Sequence, residues 1–350
     1  MKDEERMKEE STAEAGKQEA AESVRAYAAK FEAICSEVEK VMVELRPVIE
    51  DVVTAMLAEG NVLLEGVPGI GKTYLIRTLG AVLDLRFRRV QFTADLMPSD
   101  IIGMSLLVQD AHGKRLAFQQ GPIFTNLLLA DEINRATPKT QAALLEAMEE
   151  HNVTVGGVTN KLDEPFFILA TQNPIEQDGT YPLPKAQLDK FLFKLLVGYP
   201  SPEGLVEVAM RTTFEKYPEV QTRATGAEIL AMRKLVRQVP VASHVEDYAL
   251  RLVRATQPES THASEASGKY LEAGAGPRGL LAILHSAKAR ALAHGEFYVS
   301  CEHVRAVAAQ ALRHRIQRNL QAEAEDMTAD RILERIIKEV KESKGEEVKG

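Results

Sequence analysis

Gly66-Val67-Pro68-Gly69-Ile70-Gly71-Lys72-Thr73 reads G-x-x-x-x-G-K-T and directly follows the apolar run Asn61-Val62-Leu63-Leu64-Glu65. A strand that breaks into a glycine loop and continues as a helix, here expected over Tyr74 to Leu83, turns several backbone N–H groups toward one point. The helix N-terminus adds partial positive charge there. That point suits a polyphosphate, which makes residues 66 to 74, Tyr74 included, candidate nucleotide contacts. Lys72 is expected to reach the β and γ phosphates, and the Thr73 hydroxyl to ligate Mg²⁺.

A second signal gives a bound nucleotide something to react with. Asn126-Leu127-Leu128-Leu129-Ala130-Asp131-Glu132 is a short apolar run ending in two carboxylates. This is the pattern of a buried parallel strand that delivers acids to the carboxyl edge of a sheet. Asp131 is a candidate for the Mg²⁺ shell. Glu132, pointing the other way from its neighbour, is a candidate base to orient and deprotonate an attacking water. Two acids after an apolar run also mark ordinary strand ends; the glycine loop upstream is what favours the chemical reading.

At 350 residues the chain has room for one globular domain and a smaller one. Its formal charge is −8, and half of that comes from the first twenty-three residues, eight acids against four bases. The remaining body is only mildly acidic, which argues against a protein that coats nucleic-acid phosphates. Cys35 and Cys301 are far apart and lack metal-ligand spacing, and none of the eight histidines forms an H-E-x-x-H signature. Idle thiols of this kind suit a reducing cytoplasm. No apolar stretch approaches the ~18 residues needed to cross a bilayer, and the N-terminus is charged rather than signal-like. The expectation is a cytoplasmic protein with no membrane insertion.

Residues 1–23 are polar and offer no apolar face, so they are expected to form a frayed or disordered acidic tail. Val38, Val41, Met42, Leu45, Ile49, Val52, Val53 and Met56 then recur at helical steps, with Pro47 implying one helix that ends near Arg46 and a second that starts there. Five apolar runs follow, Asn61 to Glu65, Arg89 to Phe92, Leu127 to Asp131, Phe166 to Thr171 and Leu192 to Val197. Separated mostly by helical or loop segments, they read as a parallel sheet flanked by helices. After Gly198-Tyr199-Pro200 the pattern is helical, over about Glu203 to Phe214, Glu228 to Gln238, Val245 to Gln257, Arg278 to Ala293 and Glu302 to Ile316. The fold class expected is α/β, an αβα P-loop domain over 24–200 with a five-stranded parallel sheet, then a smaller all-helical lid over 201–337. Pro258 to Pro277 reads as a loop within that lid, and 338–350 as a charged, frayed tail.

With these residues in view, the chain resembles the MoxR family of AAA+ ATPases from about Val24 to Gln317. Besides the two nucleotide motifs it carries Gln91-Phe92-Thr93-Ala94-Asp95-Leu96-Met97-Pro98-Ser99-Asp100 and Gly121-Pro122-Ile123-Phe124. Asp131-Glu132-Ile133-Asn134-Arg135-Ala136 and Ala170-Thr171-Gln172-Asn173-Pro174-Ile175-Glu176-Gln177 follow in order. The resemblance implies an ATP- and Mg²⁺-dependent ATP hydrolase with chaperone-like work on partner protein complexes. It also implies a homo-oligomeric ring, usually hexameric, and a von Willebrand factor A domain protein as a partner. Asn173 takes the role of holding the attacking water or sensing the γ-phosphate, although an Asn-Pro pair alone reads as a turn. Arg278, in Gly274-Ala275-Gly276-Pro277-Arg278, takes that of the lid arginine reaching back to the nucleotide.

Met104 to Gln119, turning at Asp110-Ala111-His112-Gly113, and Val153 to Leu162, containing Gly156-Gly157, read as two surface hairpins. By resemblance they project into a ring channel and grip a client. The chain also departs from the family pattern. Leu188-Asp189-Lys190-Phe191 carries Lys190 where many relatives place the arginine finger supplied to a neighbour; Lys keeps the charge and loses the bidentate geometry. Lys185 stands where Glu is common and Gly276 where Ser is common, and Arg135 is a second candidate for an intersubunit contact. Two other function classes fit parts of the sequence. A nucleic-acid motor, or a magnesium-chelatase-like subunit, shares the ATPase motifs, but no basic, aromatic-interleaved patch supports the first and the family runs fit the second less well. A nucleotide switch with slow turnover fits Lys190 but not the intact Glu132 and Asn173.

Overall fold

A strand with apolar side chains on alternate faces, both ways, has to be covered on both sides. In the computed structural model, which describes residues 2–67, 69, 71–110, 113–173, 179–213 and 218–342, helices do the covering. Helices α1 (Lys2–Glu39) and α2 (Arg46–Leu57) precede β1 (Val62–Gly66), and α3 (Lys72–Val82) follows the glycine loop. Then come β2 (Phe87–Gln91), α4 (Pro98–Ile102), the hairpin strands β3 (Gly103–Asp110) and β4 (Gly113–Gln120), and β5 (Leu127–Asp131). They are followed by α5 (Pro138–Glu150), the second hairpin of β6 (Asn152–Val155) and β7 (Val158–Lys161), β8 (Phe167–Gln172), α6 (Lys185–Leu188) and β9 (Phe193–Val197).

The central sheet has the order β2-β5-β8-β1-β9 and is parallel throughout. Its alternation splits the core in two. Leu64, Leu127, Leu129 and Leu169 face one side with α1, α2, α3 and the lid; Leu63, Leu128, Ile168 and Ala170 face the other with α5. The lid comprises α7 (Pro202–Thr213), α8 (Gly226–Gln238), α9 (Ser243–Ala255), α10 (Glu265–Tyr270), α11 (Pro277–Ala293), α12 (Cys301–Leu312), α13 (Leu320–Ala324) and α14 (Ala329–Glu339), with β10 (Leu271–Ala273) paired to β11 (Gln317–Arg318). Lid and sheet share one continuous core, to which α11 and α12 bring Ile283, Ala287, Val304 and Val307.

Three expectations change. The acidic segment expected to fray lies within α1, whose Glu, Lys and Ala residues are strong helix formers; among the side chains described, an apolar stripe of Val24, Tyr27, Phe31, Ile34 and Val38 is buried. The first helix ends at Glu39 rather than near Arg46, and Met42 turns down toward the glycine loop. Pro258 to Pro277 is not all loop: Ser264 caps α10 by accepting from the Ser267 N–H, and β10 follows. Of the charged tail 338–350, α14 takes 338 and 339, and 343–350 lie outside the described residues, as do Pro68, Ile70, the turn residues Ala111 and His112, and the run Pro174 to Gln177.

Both hairpins form. The first leaves α4 through a neck that only glycines allow: a Cβ on Gly103 would fall 2.2 Å from the Gln119 carbonyl oxygen, and one on Gly121 2.2 Å from that of Ile101. Beyond the neck Leu107 and Leu116 sit opposite each other, 64% and 72% exposed. Among the described residues no helix is long and apolar enough to cross a membrane.

Candidate active site

Register brings the motifs together. Ala130 of β5 is level with Ala170 of β8, and Gln172 of β8 with Glu65 of β1. The glycine loop, the two acids, Thr171 and Asn173 therefore meet at one sheet edge, around a cavity of about 440 Å³ also lined by Lys72, Thr73, Tyr74 and Arg89. Gly69 and Gly71 have φ of +85° and +84°, the left-handed backbone that glycine adopts without strain and that aims N–H groups inward. Lys72 opens α3 and folds back over the loop, donating to the Gly66 carbonyl and, at 3.3 Å, to that of Gln172. Burial pulls its ammonium below the usual lysine range, and Asp131, Glu132 and Glu65 oppose that pull.

Thr171, on the strand between the loop and the acids, organises both carboxylates. Its hydroxyl donates to Asp131 Oδ1 at 2.6 Å and accepts the Glu132 N–H at 2.9 Å. Arg89 forks onto Asp131 Oδ2 through Nε at 3.0 Å and Nη2 at 2.7 Å. Glu132 has φ +57°, rare for a residue with a side chain, and opens a 3₁₀ turn over Ile133–Arg135. Its Oε2 accepts from Gln91 Nε2 at 2.8 Å and lies 3.2 Å from Arg135 Nε. The Thr73 hydroxyl and the Asp131 carboxylate are hard oxygen donors on one cavity, which fits Mg²⁺, an ion that takes few protein oxygens and completes its shell with phosphate and water.

Beside this polar cavity lies an apolar one of about 600 Å³ that shares Gly69, Gly71 and Tyr74 with it and is walled by Met42, Val43, Val197, Tyr199 and Leu205. Its size and lining suit a flat heteroaromatic ring. Glu44 ties its walls together, accepting from the Ser201 N–H at 2.8 Å and the Ser201 hydroxyl at 2.5 Å. A larger cleft of about 1130 Å³, between β9 and the end of the lid, contains neither the loop nor the acids.

Lys190 and Arg278 line neither the polar nor the apolar cavity. Both bind Glu149 on α5, Lys190 at 2.9 Å and Arg278 at 2.5 Å. Arg278, expected to reach back to the nucleotide, is turned by the docking of α11 toward Glu149 of α5. Arg135, the alternative to Lys190, is held against Glu132 of its own chain. Sequence reasoning missed Arg89, Gln91 and the bridging role of Thr171. A signal was present for the first two: polar residues two apart at the end of β2 point to the same face, and Gln91 is level with Asp131.

A phosphate loop between β1 and α3, paired acids on β5 in an αβα sheet, and a helical lid define a P-loop ATPase of the AAA+ class. The family profile described as ATPase family associated with various cellular activities (AAA) matches residues 61–193, and the AAA lid domain matches 263–336. The chain belongs to the MoxR family of AAA+ ATPases. It is 39% identical over 321 residues to Chaperone MoxR1 of Mycobacterium tuberculosis, covering 91% of this chain and 84% of that protein. It is 40% identical over 305 residues to YeaC, an uncharacterised protein of Bacillus subtilis, covering 87% and 92%. A solved structure from Cytophaga hutchinsonii, described as a candidate ATPase, superposes with a TM-score of 0.86 at 38% identity, over 93% of this chain and 99% of that one.

Proposed function

We propose that this chain hydrolyses Mg·ATP at the interfaces of a ring of its own copies, six in number, and uses the cycle to remodel or mature a partner protein complex alongside a von Willebrand factor A domain protein. The observation that carries the hydrolytic reading is Glu132, fixed by Gln91, Arg135 and the Thr171 hydroxyl at the rim of the cavity that Lys72 closes. Lys72 binds the terminal phosphates and the loop N–H groups cradle them, while the apolar cavity takes the base. Glu132 accepts the proton of the attacking water, and Asn173 orients that water from the end of β8. Mg²⁺, when bound through Thr73 and Asp131, neutralises phosphate charge. Lys190 and Arg278, which pair with Glu149 and do not line their own cavity, supply cations to the site of a neighbouring copy. The chaperone-like reading is supported by the similarity to Chaperone MoxR1, and the exposed Leu107 and Leu116 of the first hairpin suit contact with a client chain.

Glu132→Gln tests the chemistry, because the amide fills the same space and cannot take the proton. Turnover should fall roughly a hundredfold or more with ATP affinity within about twofold of the parent. A Glu132→Gln protein that hydrolyses ATP at the parental rate removes Glu132 from the role of base.

A further inference from the structure

Lys190 sits in a short loop, Asp189 to Leu192, and every other residue of that loop is bonded to one side chain of the lid. The side chain of Arg315, just past α12, is 4% exposed and engages all five of its N–H groups. Nε donates to Asp189 Oδ1 at 2.7 Å; Nη2 donates to the carbonyls of Asp189 at 3.0 Å and Phe191 at 2.7 Å; Nη1 donates to that of Leu192 at 3.1 Å and to that of Ala311 in its own helix. The neighbouring residues extend the grip. His314 donates through Nε2 to the Phe191 carbonyl at 3.1 Å, and Arg313 Nη1 donates to the Lys194 carbonyl of β9 at 3.0 Å. The Arg315 stem lies against the first turn of α11, where a Cβ on Gly279, next to Arg278, would come within 3.3 Å of its Cδ.

A guanidinium taken out of water is held here mostly by backbone carbonyls of one loop, not by a network of carboxylates. Such an arrangement fixes the course of that loop, and with it where the Lys190 side chain starts. We propose that Arg315 is a positioning residue for Lys190. It clamps 189–192 to the lid, so that Lys190 is presented to the neighbouring copy only while the end of α12 is docked against β9, and lid movement is thereby coupled to delivery of the catalytic cation. This inference rests on the reading of Lys190 given under Proposed function.

The test is Arg315→Lys, which keeps the charge but has three donors in place of a five-donor fork. Its turnover should fall about tenfold or more, with ATP affinity within about twofold, because a small displacement of a reacting group lowers rate without weakening binding. The defect should sit with the donor of the cation. Mixing Arg315→Lys with Glu132→Gln subunits should restore activity as mixing Lys190→Ala with Glu132→Gln does, and Arg315→Lys combined with Lys190→Ala should be no slower than Lys190→Ala alone. If Lys190→Ala is complemented and Arg315→Lys is not, or if the two defects multiply, Arg315 is only part of the fold and the proposal fails. If Lys190→Ala itself is not complemented in demonstrated mixed assemblies, the reading of Lys190 fails and takes this proposal with it. Should Arg315→Lys lose its circular-dichroism signature, Asp189→Asn decides, since Asp189 is 36% exposed and the amide keeps an acceptor. A complementable fall of about threefold supports the clamp, and the parental rate overturns it.

Discussion

Among the described residues Lys72 contributes the one ammonium at the mouth of the loop, held by two carbonyls at the ends of β1 and β8 and opposed to three acids. Lys72→Ala should therefore fail at binding, before chemistry. A fluorescence titration should show ATP affinity reduced roughly ten- to a hundredfold, as expected when a charge-assisted hydrogen bond to phosphate is removed; an unchanged affinity means that the loop is not the phosphate site. At this scale legibility followed distance along the chain. Gly66 to Thr73 was readable because a phosphate loop is made by consecutive residues, and Asp131 and Glu132 because a strand delivers them directly. Thr171, Arg89 and Gln91 were not, because each acts on an acid about forty residues away and finds it only through strand register. The side of the molecule to which Arg278 points was equally hidden, being set by how α11 docks.

Among the elements, the five strands were legible to within a residue or two, since continuous apolar runs bounded by loops leave little freedom in a sheet buried on both faces. The end of α1 and the short α10 were not, because the hydrophobic period runs on through 40–45 and a composition rich in Ser, Gly and Ala hides a capped turn. Packing between elements also leaves one group in an unfavourable state. Asp51 of α2 is partly buried against the lid, accepting from Gln310 Nε2 at 3.1 Å and lying 3.9 Å from Arg290 Nη1. Burial outweighs both contacts and pushes its carboxyl up from 3.8 to about 6. The folded chain thus binds this proton more tightly than the unfolded one. The associated stability is fully present below 3.8 and is lost as pH rises through about 6. Asp51→Asn should consequently raise the melting midpoint by about 2–4 °C at about pH 8, and by much less at about pH 5, where the parent is already largely protonated. Equal gains at both values would show that Asp51 does not titrate in this window.

For the whole molecule, the placement of two cations is more telling than the sheet. Lys190 and Arg278 both neutralise Glu149, whose carboxyl is held below the usual glutamate range first by its bond to Lys190, and neither lines the cavity that holds the acids of its own chain. The arginines beside those acids are spent on them, Arg89 on Asp131 and Arg135 on Glu132, while Arg77 lines the cavity from the exposed side of α3, a turn beyond Thr73. Among the described residues the arginines beside the acids are thus committed to them and Arg77 stands apart on α3; in the proposed ring, the cation that meets charge developing on the γ-phosphate would come from a neighbour. Turnover per subunit should then rise with protein concentration while ATP affinity per subunit stays constant, and Lys190→Ala should flatten that rise. Glu149→Gln, which removes the competing carboxylate but keeps the fold of α5, should reach at least the parental rate once assembled. The measurement is specific activity across a dilution series spanning about a hundredfold, with the assembly state followed by sedimentation in the same buffer. Constant specific activity across a range in which assemblies fall apart to single chains would mean that one chain holds a complete site, and that Lys190 and Arg278 are internal ion-pair residues rather than groups offered to a neighbour.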